Sequence, residues 1–513
     1  MIAADEIMAA LRRHWGFDSF RPLQERIVAS LLAGRDTCVV MPTGGGKSLC
    51  YQLPAALWRE RTVIVVSPLI ALMQDQVHHL EAMGIAAAQL NSSMPASQQS
   101  QIQARALQGR YRLIYLSPER LARADTLAWM RRLPLALVAI DEAHCISEWG
   151  HEFRPDYRQL SALRREFPDL PLSAFTASAT RRVRHDILEQ LQLRAPDRYI
   201  ASFHRANLRY LVRPTTAREQ PALLLRALRH HEGARVIVYA PTIVRVEETA
   251  AMLEREGIPA IAYHGKMEAD ARRQRQERWM AGEKRVLVGT LAFGLGIDQA
   301  EVRAVIHLAL PKSIEQYYQE AGRAGRDGQP ADCLLLWQKR DAGLLAHFIE
   351  QIEDGAERER GWQRYHAIRG FAESKRCRHR QICLHFGERP GWEQCGACDV
   401  CGAAAEYLAG PRPGAKRERA RPAARLEPGR AAAAALPPAA AGLREHLRAW
   451  RLEAARQRGV PAFVLFSNRS LDELCQHVPA TLAELETIYG FGPGRAAQFG
   501  AALLQAIKDG NRP

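Results

Sequence analysis

The sequence contains no run of ~18 to 20 apolar residues, the length that a helix needs to cross a bilayer. Its first sixteen residues are amphipathic and are interrupted by Asp5, Glu6, Arg12 and Arg13, so they lack the apolar core of a signal peptide. From these absences we expect a cytoplasmic protein. In that compartment the ten cysteines should be reduced unless they bind metal.

Acidic residues are also scarce relative to basic ones. The 513 residues include 56 Asp and Glu against 71 Lys and Arg, which gives a net charge of +15 and a pI near 9.6. Such an excess attracts polyanions and strengthens binding to nucleic acid, although a merely soluble basic surface would carry the same charge. The length predicts roughly three or four domains.

Short apolar runs rich in β-branched residues recur between amphipathic stretches, in two successive series. This alternation is typical of βαβ units with a buried parallel sheet. The sequence therefore predicts an α/β protein with two tandem parallel-sheet lobes, residues 1–200 and 201–340. Residues 196–218 lack the pattern and contain two prolines, which favours a hinge. The predicted strands are residues 37–41, 62–67, 113–117, 135–140 and 172–175, then 236–240, 258–263, 286–290, 302–308 and 331–337.

The rest of the chain divides by composition. Residues 341–402 look helical and carry a cysteine cluster, whereas residues 403–441 are dominated by Ala, Pro, Gly and Arg. With almost nothing large and apolar to bury, the second stretch is predicted to be a disordered basic linker, either solvated or bound to phosphates. Helical periodicity returns over residues 442–513 and predicts a small all-α domain.

A glycine-rich turn, "PTGGGKS", follows the first predicted strand and precedes a predicted helix. Main-chain amides and a helix N-terminus at such a turn cradle phosphate groups. Lys47 would place its charge at the β and γ phosphates, and the Ser48 hydroxyl would ligate magnesium. Met41 stands where the strict motif has its first glycine, so a plain glycine turn is the alternative. The residues expected to contact the nucleotide here are Thr43, Gly44, Gly45, Gly46, Lys47 and Ser48.

Two carboxylates, Asp141 and Glu142 of "DEAH", follow the predicted strand at residues 135–140. The carboxyl ends of parallel strands are where α/β sheets bind their ligands. We expect Asp141 to hold magnesium through water and Glu142 to polarise the attacking water, a division that suits phosphoryl transfer. The alternative is an exposed acidic turn.

Four cysteines lie close together in the sequence: Cys377, Cys395, Cys398 and Cys401. Four thiolates at such spacing satisfy the tetrahedral preference of structural zinc, and disulfides or free thiols are the alternatives. Cys383 lies between them on a helical pattern and is expected to be an ordinary buried thiol.

The order of the motifs resembles that of superfamily 2 helicases. The matching stretches are "MPTGGGKS", "SPLIALMQDQ", "DEAH", "SAFTASAT", "VGTLAFGLGID" and "QYYQEAGRAGRDG". Two more, "WGFDSFRPLQ" at residues 15–24 and "CISEWGHEFRPDY" at residues 145–157, resemble the RecQ family in particular, as does the cysteine spacing. The last predicted domain is similar to helicase-and-RNase-D C-terminal (HRDC) domains.

The resemblance implies an ATP-dependent DNA helicase with two RecA-like lobes and with ATP, Mg²⁺ and Zn²⁺ as cofactors. It implies 3′ to 5′ movement on single-stranded DNA and unwinding of tailed or forked duplexes in repair and recombination. We expect a monomer that binds no membrane, associated with the nucleoid if bacterial, with single-strand-binding or repair proteins as candidate partners. The rival interpretations are an RNA helicase or a duplex translocase, which share the ATPase core, and a noncatalytic scaffold.

The same resemblance assigns roles to further residues. Phe17 would stack on adenine, with Arg21 and Gln24 recognising its edge and the neighbouring phosphates. Of the two arginines in "GRAGR", Arg326 is the better candidate for an arginine finger at the γ-phosphate. The residues expected to complete the closed site from the second lobe are Asp298, Gln319, Arg323 and Arg326.

The aromatic loop, residues 145–157, is expected to bind one DNA strand. Trp149 and Phe153 offer stacking faces that tolerate any base, and His151 and Arg154 add charge beside them. Because the loop begins only a few residues after Glu142, contact with the strand could reset that carboxylate. The alternative for Trp149 is a side chain packed between lobes.

The chain departs from the RecQ pattern after the cysteines. A winged-helix domain commonly follows there, but the linker is shorter than the ~50 residues of the smallest domains, so we predict that this domain is absent. In the last domain the turn "GFGPG" at residues 490–494 could present amides to a phosphate or make a tight connection between helices. We predict weak auxiliary DNA binding there rather than protein docking.

Overall fold

The computed structural model describes residues 2–290, 299–402, 405–408, 438–457 and 462–511. One parallel sheet is formed by β1 (Thr37–Val40), β2 (Thr62–Val66), β3 (Ala87–Leu90), β4 (Leu113–Leu116), β5 (Leu135–Ile140), β6 (Leu172–Thr176) and β7 (Asp197–Ile200), in the spatial order β3-β4-β2-β5-β6-β1-β7. The helices of this first lobe are α1 (Ala4–Trp15), α2 (Gln24–Leu32), α3 (Lys47–Leu57), α4 (Ile70–Ala82), α5 (Ala96–Leu107), α6 (Pro118–Leu121), α7 (Ala124–Met130), α8 (Pro155–Arg158), α9 (Ala162–Glu166) and α10 (Arg181–Gln190), with 3₁₀ turns at Ala143–Ile146 and Gln159–Ser161.

The second lobe repeats this plan. Its parallel sheet contains β8 (Leu208–Pro214), β9 (Arg235–Tyr239), β10 (Ala260–Tyr263), β11 (Val286–Gly289), β12 (Val302–His307) and β13 (Ala331–Trp337), in the order β10-β11-β9-β12-β13-β8. The helices are α11 (Glu219–His230), α12 (Ile243–Arg255), α13 (Ala269–Met280) and α14 (Ile314–Ala321). The prediction of an α/β protein with two parallel-sheet lobes is confirmed.

Burial on both faces explains why the central strands are continuously apolar. In β1, Val39 packs with Leu11 of α1 on one face of the sheet, whereas Val40 belongs to the hydrophobic cluster on the other face. Successive side chains of a strand point to opposite faces, so both must be apolar when helices cover both sides. The loops at the carboxyl ends of these strands remain free to carry polar groups.

The predicted hinge at residues 196–218 is wrong in part, because the segment contains two strands. β7 pairs with β1 at the edge of the first sheet, and β8 pairs with β13 at the edge of the second. Only Tyr199 of β7 is buried, and an edge strand of this kind lacks the continuous apolar run that marks a central strand. The connection between the lobes is therefore the short stretch between Ile200 and Leu208.

The regular structure in the remaining described residues is helical, whereas residues 386–402 form turns. The cysteine module, residues 339–402, contains α15 (Lys339–Glu350), α16 (Gly355–Glu373) and α17 (Arg378–His385), and a 3₁₀ turn follows at Glu406–Leu408. The C-terminal domain contains α18 (Pro438–Gln457), α19 (Ala462–Leu465), α20 (Asn468–His477), α21 (Leu482–Leu485), α22 (Pro493–Arg495), a π-helical turn at Ala496–Gly500, and α23 (Ala501–Gly510). None of the helices in the described part of the chain combines the length and hydropathy that a bilayer crossing requires.

The start of the predicted linker is packed rather than free. Tyr407 stacks on His230 with ring centroids 4.0 Å apart, and its hydroxyl donates to Asp332 over 2.6 Å. Leu408 is buried in the core of the second lobe. These two large side chains anchor the chain beyond the cysteines, and a boundary drawn from average composition overlooked them. The predicted basic tether, Arg412, Lys416, Arg417, Arg419, Arg421 and Arg425, lies outside the described residues.

Candidate nucleotide and nucleic-acid sites

The phosphate loop, residues 42–48, leads from β1 into α3 at the carboxyl edge of the first sheet. Gly44 and Gly46 have left-handed backbones, with φ of 81° and 79°, which glycine adopts without strain. Gly46 is the N-cap of α3 and offers no side-chain cap. The first amides of α3 are therefore available to an anion.

Arg21 and Gln24 contact the main chain of this loop. The Arg21 guanidinium donates to the carbonyl of Gly44, and Gln24 Nε2 donates to the carbonyl of Gly46 over 3.1 Å. A Cβ atom at Gly46 would lie 2.4 Å from Gln24 Nε2. Only glycine fits there while Gln24 holds the loop.

Lys47 and the acidic pair lie close enough together to affect one another's charge, with Asp141 buried and Glu142 partly exposed. Lys47 Nζ donates to the carbonyl of Met41 over 3.2 Å. Burial lowers the pKa of Lys47, and the carboxylates of Glu142 and Asp141 oppose that shift. Burial, and then the charge of Glu142, raise the pKa of Asp141 to about 7. Two adjacent carboxylates are unfavourable together unless a cation neutralises them, so this donor set fits Mg²⁺.

Two second-lobe residues reach the first lobe. Gln319 Nε2 donates to Ser178 Oγ over 2.8 Å. Arg326 packs on the phosphate loop, because a Cβ atom at Gly44 would lie 3.1 Å from Arg326 Cγ. Arg323 is 8% exposed and interacts with the Tyr239 hydroxyl of its own lobe. The expected residue Asp298 lies outside the described residues.

Arg205, in the connection between the lobes, also links the first lobe to the second, and sequence motifs did not predict this contact. Its guanidinium donates to the carbonyl of Thr43 over 3.0 Å and to that of Gly325 over 2.9 Å. One side chain thereby joins the phosphate loop to the loop that carries Arg323 and Arg326. No local motif marks it, because its partners are main-chain carbonyls far away in sequence.

The aromatic loop packs on neighbouring helices. The Arg182 guanidinium lies 2.9 Å from the centroid of the Trp149 ring, and that of Arg360 lies 5.4 Å from it. Trp149 is thus half-buried between α10 of the first lobe and α16 of the cysteine module, which favours the packed interpretation in this state. Phe153 lies under Arg158 at 5.7 Å, and Arg154 donates to the carbonyl of Pro68 over 3.4 Å.

His144 lies between the acidic pair and the aromatic loop. Its Nδ1 is 3.2 Å from Glu142 Oε2, and its Nε2 is 3.8 Å from Glu152 Oε2. The ring of His151 stacks on His144 with centroids 4.9 Å apart. Burial raises the pKa of Glu142, but hydrogen bonding and charge from His144 outweigh burial and lower it overall. The loop therefore has a direct side-chain connection to the candidate catalytic carboxylate.

The four cysteines converge in space. The sulfur atoms of Cys377, Cys395, Cys398 and Cys401 all lie within 4.8 Å of one another. Burial raises the pKa of both Cys395 and Cys398, so a cation is needed to stabilise their thiolates. Cys383 is buried outside the cluster, as expected. The arrangement fits one structural zinc ion.

The cluster is tied to the second lobe. The Asp399 amide donates to the carbonyl of Tyr210 in β8 over 3.0 Å. Asp399 also accepts two hydrogen bonds from the Arg378 guanidinium, over 2.9 and 3.0 Å. Loss of the metal would therefore loosen the edge of the second sheet as well as the cysteine module.

The C-terminal domain docks on the first lobe through the turn at residues 490–494, for which a phosphate contact and a tight helix connection were the two alternatives. A Cβ atom at Gly492 would lie 2.4 Å from the carbonyl oxygen of Arg13, and one at Gly494 would lie 2.7 Å from that of Met83. Two glycines thus allow main chain to meet main chain. The turn faces protein here, which the sequence alone could not reveal.

This docking brings a second aromatic ring toward the predicted adenine position. The rings of Phe17 and Tyr489 have centroids 6.1 Å apart. On the other side of the domain, Arg448 donates to the carbonyl of Ala281 in the second lobe over 2.8 Å. The domain therefore contacts both lobes.

Four family models match consecutive parts of the chain. They are DEAD/DEAH box helicase at residues 21–187, helicase conserved C-terminal domain at 219–328, RecQ zinc-binding at 339–402 and HRDC domain at 440–507. Residues 403–439 alone lie between the RecQ zinc-binding and HRDC matches. This stretch is shorter than the ~50 residues of the smallest domains, so it has no room for a winged-helix domain.

The relatives include three bacterial proteins named ATP-dependent DNA helicase RecQ. The one from Bacillus subtilis strain 168 is 33% identical in an alignment of 579 positions, gaps included, that covers 97% of this chain and 98% of that protein. Those from Pasteurella multocida and Haemophilus influenzae are 42% and 41% identical over 75% and 77% of this chain. The chain spans only 61% and 63% of the length of these two relatives.

Solved helicase structures share the fold at low sequence identity. The DEAD-box helicase Mss116 bound to single-stranded RNA matches with a TM-score of 0.56 at 17% identity, over 69% of this chain and 76% of that one. The DUF1998 helicase MrfA bound to DNA matches with a TM-score of 0.54 at 20% identity, over 65% and 51%.

Two parallel-sheet lobes that meet at a phosphate loop, together with the matches to the DEAD/DEAH box helicase and helicase C-terminal models, place the chain among the superfamily 2 helicases. The Bacillus subtilis relative is matched over nearly all of both chains. The chain belongs to the RecQ family.

Proposed function

We propose that this protein is an ATP-dependent DNA helicase that moves 3′ to 5′ on single-stranded DNA and separates tailed or forked duplexes in repair and recombination. The observation that carries the proposal is the contact of Arg326 with Gly44, which brings a second-lobe arginine to the phosphate loop of the first lobe. Hydrolysis would then require the two lobes to close on one nucleotide.

Each group around the loop has a role in this proposal. The amides of Thr43 to Gly46 and the Lys47 ammonium bind the phosphates, and Phe17 stacks on adenine. Mg²⁺, when bound beside Ser48 and Asp141, supplies charge compensation at the phosphate oxygens. Glu142 accepts a proton from the attacking water. Arg326 stabilises negative charge on the transferring phosphoryl group, while Gln319 and Arg323 position the second-lobe loop, with Asp298 completing it.

DNA contact would reach the same site through the aromatic loop. A base that stacked on Trp149 would displace the guanidinium of Arg182, which lies over that ring. Such a displacement moves the loop that carries His151 and Glu152, and His144 relays the movement to Glu142. Phe153 and Arg154 would contact the same strand. This route explains how a strand of any sequence could stimulate ATP turnover.

The experiment is a strand-displacement assay on 3′-tailed and 5′-tailed duplexes with ATP. We expect displacement of the 3′-tailed substrate only, and none by Lys47→Ala. ATP turnover should be stimulated more by single-stranded DNA than by RNA of the same sequence. Full stimulation without displacement of either substrate would instead identify a translocase, and preferential stimulation by RNA would overturn the choice of DNA.

We further infer that one Zn²⁺ per chain holds Cys377, Cys395, Cys398 and Cys401. Its role is structural, since the sulfur atoms leave no position for a substrate. The proposal also includes a monomeric state, single-strand-binding or repair proteins as partners, and, if the protein is bacterial, association with the nucleoid.

A further inference from the structure

A second basic cavity lies away from the phosphate loop, at the boundary between the first lobe and the cysteine module. It has a volume of about 750 Å³ and is bounded by α10, β7 and the turn after α17. This volume falls within the range of small-ligand sites, about 300 to 1,000 Å³. Three arginines, Arg181, Arg184 and Arg198, line it together with His185.

The positive charge in this cavity has no carboxylate partner. Arg181 donates to the carbonyl of Gly387 over 2.8 Å, and Arg184 donates to that of Phe386 over 2.8 Å. Within the described ranges none of the three arginines forms an ion pair. Burial, with a contribution from the nearby charge of Arg181, lowers the pKa of Arg184, as expected for a cationic group that lacks a counter-ion.

The one carboxylate among the described lining residues is already engaged. Glu388 accepts hydrogen bonds from the Ser202 hydroxyl over 2.6 Å and from the Phe203 amide over 2.8 Å. These bonds fasten the cysteine module to the end of β7. Glu388 is therefore committed to the interface, and the arginines remain uncompensated.

The other wall of the cavity is apolar. Leu188 of α10, Ile200 of β7 and Phe203 contribute to it, and Ile200 is 45% exposed although it is large and hydrophobic. A ligand that suits both walls combines a flat apolar portion with anionic oxygens. A nucleotide has this composition, since its base can lie on the aliphatic wall while its phosphates face the arginines.

We propose that this cavity is a second nucleotide site, at which the phosphates of a free nucleotide bind Arg184 and Arg198 and the base packs on Leu188 and Ile200. All four residues belong to the first lobe, and the cysteine module borders the site because Arg181 and Arg184 donate to its Gly387 and Phe386 carbonyls. The proposal does not depend on the chemistry at Lys47, and its test separates the two sites.

The probe is ADP, with its binding stoichiometry measured on the full chain by equilibrium dialysis. We expect two ADP per wild-type chain, and one per chain for Arg184→Gln/Arg198→Gln at the same ADP concentration. Loss of two charged hydrogen bonds should weaken the cavity site about tenfold or more. Lys47→Ala should weaken the other site and leave the cavity site intact. Arg105→Gln/Arg110→Gln, which removes the same charge from exposed positions of the first lobe, should keep both.

Because Arg184→Gln also removes a bond to the cysteine module, Arg198→Gln alone serves as a second variant. Arg198 is exposed, so its loss should weaken ADP at the cavity at least about threefold while the unfolding temperature stays unchanged. One ADP per wild-type chain would overturn the proposal. So would an oligodeoxythymidine that binds the cavity, as judged by sensitivity to Arg184→Gln/Arg198→Gln, when ADP does not, since the site would then hold DNA phosphodiesters.

Discussion

The four cysteines come from one short segment, residues 377–401, whereas the groups around the phosphate loop come from both lobes, from Lys47 to Arg326. The cysteine site can form as soon as its own module folds. In the proposed function, the nucleotide site is complete only when the two lobes are in contact, and Gln319, Arg205 and Arg326 make contacts of this kind. On this proposal the cysteine site stabilises the fold, whereas ATP hydrolysis depends on closure of the two lobes.

The largest effect is expected when the second lobe's contribution to the nucleotide site is removed. We expect Arg326→Ala to lower the rate of ATP hydrolysis about 10³-fold, because charge on the transferring phosphoryl group loses its stabilisation. Nucleotide binding should persist, since the phosphate loop is unchanged. Steady-state ATPase assays and titration with a fluorescent ADP would separate the two effects. Arg273→Ala, an exposed arginine of α13, is the control and should retain wild-type turnover.

Removal of one cysteine tests the local site. Cys398→Ser should lower the free energy of unfolding by about 3 to 5 kcal/mol, as the loss of a structural metal does, and zinc content should fall toward zero by atomic absorption. Cys383→Ser is the matched variant, because that thiol is buried outside the cluster. It should keep one zinc per chain. Equal zinc loss in both variants would show that the assigned cluster is not the metal site.

Substitution of Arg205 tests whether contact between the lobes affects turnover. Arg205→Ala removes hydrogen bonds to both lobes, and we expect kcat to fall about tenfold with a smaller change in ADP affinity. Arg209→Ala is the control, since Arg209 pairs with Asp332 inside the second lobe and should affect thermal stability more than turnover. The opposite pattern would mean that Arg205 is merely structural.

The smallest predicted effect concerns coupling to DNA. Burial opposes ionisation of Glu152, but His144 and His151 lower its pKa to about 2, so it carries a charge at neutral pH. Glu152→Gln should reduce DNA-stimulated turnover about threefold, the scale of a partly exposed ion pair, and leave basal turnover intact. Glu148→Gln changes a carboxylate of the same loop that pairs with Arg158 and Arg360 rather than with His144. Stimulation that responds equally to both variants would contradict a specific path through His144.

Contiguous features were predictable, and features built from distant segments were not. The strand, glycine turn and helix around Lys47 follow one another in sequence, so the phosphate loop could be predicted residue by residue. The central strands were also predictable because both faces are buried. The edge strand β7 was missed because only Tyr199 is buried in it, so its sequence has no continuous apolar run.

The contacts between domains could not be predicted, because they are made to main-chain atoms and leave no pattern of residue types in the sequence. Gly492 lies against the carbonyl of Arg13 from the opposite end of the chain, a contact that neither of the two alternatives for its turn included. Arg205 likewise donates to carbonyls, which any residue can supply. Trp149 was predicted to stack on DNA, with packing between the lobes as the alternative, and in the structure two arginines lie over its ring. Neither its place in the sequence nor its residue type distinguishes a ring that is open to DNA from one that is packed against arginines.

The central claim is that one nucleotide is held by both lobes, and hydrogen–deuterium exchange measures this directly. A non-hydrolysable ATP analogue should slow amide exchange in residues 43–48 and, at the same nucleotide concentration, in residues 322–326 of the second lobe. Both effects should disappear in Lys47→Ala. Protection confined to residues 43–48 at saturating nucleotide, with residues 322–326 unchanged, would contradict the account.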